Sequence, residues 1–226
     1  MTDTTGITQN TFRFLTDLQD NNDKSWFEEN RDRYEADWLG AASSFVNAVA
    51  DDLHRLTPPH QSVAKINKSI RRINRDVRFS ADKSPYNVQL HLVFWTGDHP
   101  NKSPALHLVF HPDRVGYGVG QWMMTPQALE AFRSAVLDKA KFKSLQSAIR
   151  KAEDVGCTLQ PAELKKVPQD FEGSDEQNEF LKRKSLVCRT MDHAGAPEDF
   201  YGQAGIDRFI DIARSLAPIN GWLQNL

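Results

Sequence analysis

The pentapeptide Leu-His-Leu-Val-Phe occurs at residues 90–94 and again, unchanged, at 106–110. Within it Leu90, Leu92 and Phe94 face one way and His91 and Val93 the other, the period-2 pattern of a half-buried strand, which reads from Asn87 to Trp95. Thr96-Gly97-Asp98-His99-Pro100 carries turn chemistry, so the copies read as adjacent antiparallel strands and not as repeated domains. A hairpin centred near residue 100 sets His107 opposite Val93 and His111 opposite Gln89. A turn at His111-Pro112-Asp113-Arg114 then leads into a third strand, Val115 to Met123. There Gly116, Gly118 and Gly120 share one face, and Val115, Tyr117, Val119 and Gln121 the other.

Helical periods lie on both sides of this core. Thr11 is a candidate N-cap for a helix carrying Phe12, Leu15 and Leu18, and Asp23 for the next. From Trp26 an apolar stripe through Tyr34, Trp38, Phe45, Val49 and Leu53 predicts one long amphipathic helix, ended by Thr57-Pro58-Pro59. Downstream, Thr125-Pro126 starts a helix. Phe142, Leu145 and Ile149 mark another helix, ending near Gly156, and Ser174 with Gln177 forms a capping box. Ser185 to Arg189 reads as a short strand, and a last helix runs from Gly202 with an interruption at Pro218. The expectation is one α+β domain over residues 1–226, a central antiparallel sheet of about 4–5 strands flanked by N-terminal and C-terminal helices. Residues 1–60 should be helical, 66–123 mainly strands, and 125–226 mainly helical with a short strand near 185–189.

Composition bounds the class. Gly and Pro together make 23 of 226 residues, which excludes collagen-like and low-complexity chains. No apolar run approaches the ~20 residues of a membrane span, and Met1-Thr2-Asp3-Thr4-Thr5-Gly6 lacks the regions of a secretory signal, so a cytoplasmic protein without a membrane partner is expected. Cys157 and Cys188 stand alone, outside any metal or redox spacing, and read as structural thiols.

The net charge of −2 hides a strong asymmetry. Residues 65–83 hold seven cations against Asp76 and Asp82, a local +5, while residues 1–60 hold 11 acids and 5 bases. Four arginines (Arg71, Arg72, Arg75 and Arg78) fall within eight residues. Guanidinium is always charged and its planar fork matches phosphate or carboxylate. One reading is therefore an anion pocket of Arg72, Arg75, Arg78 and Lys83 with Ser80, Ser84 and Tyr86 as neutral donors; the other is an ion-pair network internal to the fold.

The same segment carries a resemblance. Asn21-Asn22, Trp26-Phe27 and Asn30, with Arg72-Ile73-Asn74-Arg75-Asp76-Val77-Arg78-Phe79-Ser80, Asp82-Lys83-Ser84-Pro85-Tyr86, resemble a widespread uncharacterised family, domain of unknown function 2461. Weaker similarity continues through Gly116-Tyr117-Gly118, the Leu181-Lys182-Arg183-Lys184 helix end and Trp222-Leu223, nearly the whole chain. The resemblance implies that family's single-domain fold, with no catalytic residue and no cofactor to carry over. Arg71 departs from it, standing where the family more often has a large apolar residue, and Asn87 stands where a Lys commonly follows Pro-Tyr.

The expected function is recognition of a small anionic, phosphate-bearing ligand through Arg72, Arg75, Arg78, Lys83, Ser84 and Tyr86. Two alternatives stay open: a phosphate-ester or nucleotide-processing enzyme using Asp76 or Asp82, and an interaction module docking an acidic partner. An extended nucleic-acid site is disfavoured, because the rest of the chain carries −7 around the basic segment. His91, His107 and His111 share a sheet face, but with no H-x-H or H-E-x-x-H spacing they are assigned no metal. The bare glycine face lets something approach closely: a packed helix or an aromatic ring such as Trp26 is the favoured occupant, a ligand the alternative.

Overall fold

The computed structural model describes residues 6–190 and 195–226. The repeated pentapeptides form β1 (Leu90–Trp95) and β2 (Ala105–Phe110), paired antiparallel with Val93 opposite His107, a register centred on residue 100. β3 (Val115–Gln121) pairs with β2, placing Gly118 across from His107. Beyond β3 comes β5 (Leu186–Arg189), then the two-residue β4 (Thr158–Leu159), giving an antiparallel sheet of order β1-β2-β3-β5-β4.

One face of this sheet is the core. Leu90, Leu92, Phe94, Leu106, Leu108 and Phe110 are all fully buried there. Their cluster is continuous with buried side chains of α1 (Gln9–Asp20), α4 (Ala41–His54), α6 (Lys139–Glu153) and α8 (Gly202–Gln224). Removing each such Leu or Phe from water contributes roughly 1.5–3 kcal/mol, so this face carries the fold. On the opposite face Val93, Trp95 and Ala105 form a separate small cluster at the β1 side. Helices gathered on one face of an antiparallel sheet make this a single α+β domain.

Local capping follows the sequence closely. Asp23 accepts the Trp26 N–H at 3.0 Å and starts α2 (Lys24–Glu29). Thr125 accepts the Ala128 N–H at 3.3 Å at the start of α5 (Pro126–Leu137). Ser174 and Gln177 exchange bonds of 3.3 and 3.0 Å at α7 (Asp175–Leu181). The cap of α1 is Thr8, with Thr11 one turn inside and buried, because Thr11 accepts the Thr8 N–H at 3.4 Å.

Three expectations are corrected. The long helix is broken at Asn30, which leaves helical backbone (φ −109°, ψ 20°) and donates its side-chain amide to the Trp26 carbonyl at 2.9 Å. The chain resumes as α3 (Arg31–Arg33), passes through a π-helical turn (Tyr34–Gly40), and continues into α4. Residues 66–89 form no strand, only isolated bridges such as Ile70 with Leu92 and Asn74 with Tyr86. The cause is local: Asp82 accepts the Ser84 N–H at 2.9 Å and Asp76 the Arg78 N–H at 3.3 Å, turn bonds that compete with a ladder. Finally, α8 runs through Pro218 unbroken. The turn beyond it is tied down from outside, by Trp222 Nε1 donating to the Lys141 carbonyl at 2.8 Å and by buried Ile219 and Leu223. Tertiary packing thus outweighs the ~3 kcal/mol cost of an interior proline.

Candidate functional site

The arginine-rich segment is a surface loop with a buried root. Asn87 N–H bonds the Ile73 carbonyl at 2.7 Å and Arg75 N–H the Pro85 carbonyl at 2.9 Å, closing its base. Tyr86 is buried and stacks on Phe27 at 4.1 Å. Its backbone exchanges two bonds with the Asn22 side chain, 3.1 and 3.0 Å. The Asn22–Phe27 and Pro85–Tyr86 parts of the motif, far apart in sequence, thus meet to fasten the loop to the helices.

Above that root three of the cations, Arg75, Arg78 and Lys83, find partners within the segment. Arg75 pairs with Asp82, bonds the Ser84 carbonyl at 3.2 Å and reaches Ser80 Oγ at 3.5 Å. Arg78 grips Asp76 through two bonds of 2.9 and 2.7 Å, and Lys83 donates to the Val77 carbonyl at 3.0 Å. Ser84 is occupied too, its hydroxyl donating to Asp82 at 2.7 Å. Arg72 is exposed, near enough to Asp76 to help hold its carboxyl low. Tyr86 serves the core instead of a shared hollow. Hydrogen bonds from Ser84, then Arg75, hold Asp82 well below the usual carboxylate range, and Arg78 does the same for Asp76.

One concave space, away from this loop, lies over the sheet face turned away from the core. A cavity of about 420 Å³ is lined there by His91, His107, His111, Arg114, Trp122, Arg189, Thr190 and the glycines of β3. The glycines do not make room for Trp26, which packs against Phe14 at 5.9 Å. They make room for β5: a Cβ on Gly118 would lie 2.7 Å from Arg189 Cβ, and one on Gly120 (φ +130°) 1.9 Å from the Leu186 carbonyl oxygen. Close approach of β5 sets Val187 and Arg189 beside the bare strip, which becomes the cavity floor.

The imidazoles form a pair. His91 Nε2 and His107 Nδ1 lie 2.9 Å apart, diagonal neighbours across β1 and β2, with one ring donating and the other accepting. Burial pushes His91 down to about 3, helped by His107, Arg71 and His111, and pushes His107 down to about 4, helped by Arg71. Both are therefore neutral at pH 7 while keeping some surface toward the cavity. Arg71 is fixed beside them by Asn101 and by the Pro100 carbonyl at 3.3 Å. His111 is lowered by partial burial and then by Arg114. Arg114 itself pairs with Asp113 at 2.8 Å, and Arg189 Nε donates to Gln160 Oε1 at 3.0 Å. No carboxylate lines the cavity among the described residues, and none of them forms a group of three metal-ligating side chains. Cys157 and Cys188 are buried, with thiols pushed up to about 12, and take no part.

Sequence reading singled out the three histidines and the glycine strip but missed Arg114, Trp122, Arg189 and Thr190. Arg189 was reachable, since period 2 along Val187 and Arg189 places both on one face; its pairing with the glycines depends on β5 inserting beside β3.

These features define a class: an α+β protein whose helices cover one face of a five-stranded antiparallel sheet and whose other face holds a cationic, imidazole-lined cavity. The chain belongs to the family described as conserved hypothetical protein (DUF2461), which matches residues 10–222. No curated protein matches it. No helix among the described residues is long and apolar enough to cross a membrane.

Proposed function

We propose that the protein binds a small anionic ligand in the sheet-face cavity. The observation that carries this reading is the lining: two arginines and three histidines border about 420 Å³ with no carboxylate among the described lining residues. Pockets of roughly 300–1,000 Å³ with a few convergent polar groups suit small molecules. A phosphate or carboxylate head engages Arg114 and Arg189, with a neutral imidazole N–H as a further donor. A flat or apolar body rests on the glycine floor, with Trp122 at the mouth. Binding is favoured over acid–base catalysis by Asp76 or Asp82, because both are held ionised on a surface loop away from this cavity.

The test is thermal unfolding with inorganic phosphate, pyrophosphate, sugar phosphates, nucleoside monophosphates and dicarboxylates. A ligand at 100 times its Kd stabilises by about 2.7 kcal/mol, raising Tm by about 5–10 °C for a chain of this size. The shift should vanish in Arg189→Met and persist in Arg75→Met. No shift with any compound, or a full shift retained in folded Arg189→Met, overturns the proposal.

A further inference from the structure

A second feature lies outside the cavity. Phe79, at the tip of the arginine-rich loop, is 96% exposed, far more than any other large apolar side chain described. A lone exposed phenyl on a slack loop carries little meaning. This loop is not slack. Its base is closed by backbone bonds, its flanks are braced by Arg75 with Asp82 and by Lys83 with the Val77 carbonyl, and a Val77–Ser80 turn bond of 3.3 Å supports the tip itself. Arg78, whose side chain is 76% exposed, lies over the Phe79 ring at 5.8 Å. The fold thus spends its local hydrogen bonds on holding an apolar ring out in water inside a segment of net charge +5.

We infer that this loop is a docking surface for an acidic protein segment, with Phe79 as the anchor inserted into the partner and Arg72, Arg78 and Lys83 meeting carboxylates around it. The commitment to protein rests on the loop's make-up. Single-stranded nucleic acid is held by successive aromatic platforms, and a membrane surface by a broad apolar face; a single ring offers neither. Asp76 and Asp82 sit among the cations and would repel a continuous line of phosphates, whereas a folded partner can place its own donors against them. A central ring desolvated in a partner's pocket, with surrounding contacts that exclude water, is the pattern of an interface hot spot, and bracing the loop beforehand lowers the entropy lost on binding. The inference does not rest on the sheet-face cavity.

The experiment selects peptides from a random display library on the immobilised 226-residue chain, then measures binding of the enriched synthetic peptides by fluorescence anisotropy. The expected result is enrichment of Asp/Glu-rich peptides carrying a bulky apolar residue, with affinity falling at least tenfold in Phe79→Ala and in Arg78→Glu and falling further as salt rises. Phe79→Ala should keep the wild-type Tm, because its side chain contacts almost nothing, and Arg189→Met should bind these peptides normally, which separates this site from the cavity. The inference is overturned if no acidic peptides are enriched or if Phe79→Ala binds them as wild type does. It is equally overturned if Phe79-dependent binding is found only with an oligothymidylate, only with phosphatidylserine vesicles, or only as self-association in light scattering.

Discussion

The neutral histidine pair makes acid sensitivity calculable. Two imidazoles 2.9 Å apart in the lining of a cavity, with Arg71 and His111 adding positive charge, resist protonation; their folded pKa values of about 3 and about 4 lie below the 6.5 of an ordinary imidazole. The sign follows directly. At pH 7.5 neither form binds a proton and the shift has no consequence. As pH falls through 6.5 the unfolded chain takes up protons that the folded chain refuses, so stability drops until the folded pKa is reached. At pH 5 each histidine costs about 2 kcal/mol, and the pair about 4 kcal/mol, with water in the cavity reducing the figure. Urea unfolding at pH 7.5 and 5.0 reads this directly. With an m-value of about 2 kcal/mol/M, the pair accounts for a drop in midpoint of about 2 M. The double variant His91→Asn/His107→Asn should lose that much less between the two pH values, whatever its stability at pH 7.5. His60, also pushed down to about 4 by burial, titrates in both proteins and cancels. Equal losses in wild type and double variant would refute the claim that this pair is held neutral.

Three further substitutions test the framework. Gly120→Ala, at φ +130° with its Cβ against the Leu186 carbonyl, should destabilise by at least about 2 kcal/mol, whereas Gly116→Ala, which meets only Thr190 Oγ1 at 3.5 Å, should cost under about 1 kcal/mol; thermal melts distinguish them. Asn22→Ala removes both bonds to the Tyr86 backbone and should cost about 1–3 kcal/mol, with faster amide exchange across residues 74–87 as the specific sign that the loop root has loosened.

What was legible in the sequence was short-range. Alternation within the repeated pentapeptide set the β1–β2 register, and Asp23, Thr125 and Ser174 announced their helices because a cap is a bond between residues three apart. What escaped depends on distant partners. Nothing near Leu186 says that β5 inserts between β3 and β4, yet that insertion places Arg189 on the cavity. Nothing near Pro218 says that Lys141 will hold the turn beyond it. The arginine-rich segment was conspicuous by charge alone, but whether guanidinium groups meet a ligand or nearby carboxylates is decided by loop geometry, and here Asp76 and Asp82 lie within reach.

The cavity as the seat of anion recognition is tested most directly by imidazole and indole NMR during titration with pyrophosphate. Saturable shifts are expected in the His91, His107 and His111 ring resonances and in the Trp122 indole, with the amides of Arg78 and Phe79 unmoved. Shifts confined to the Arg72–Tyr86 loop, with the imidazoles silent, would contradict it.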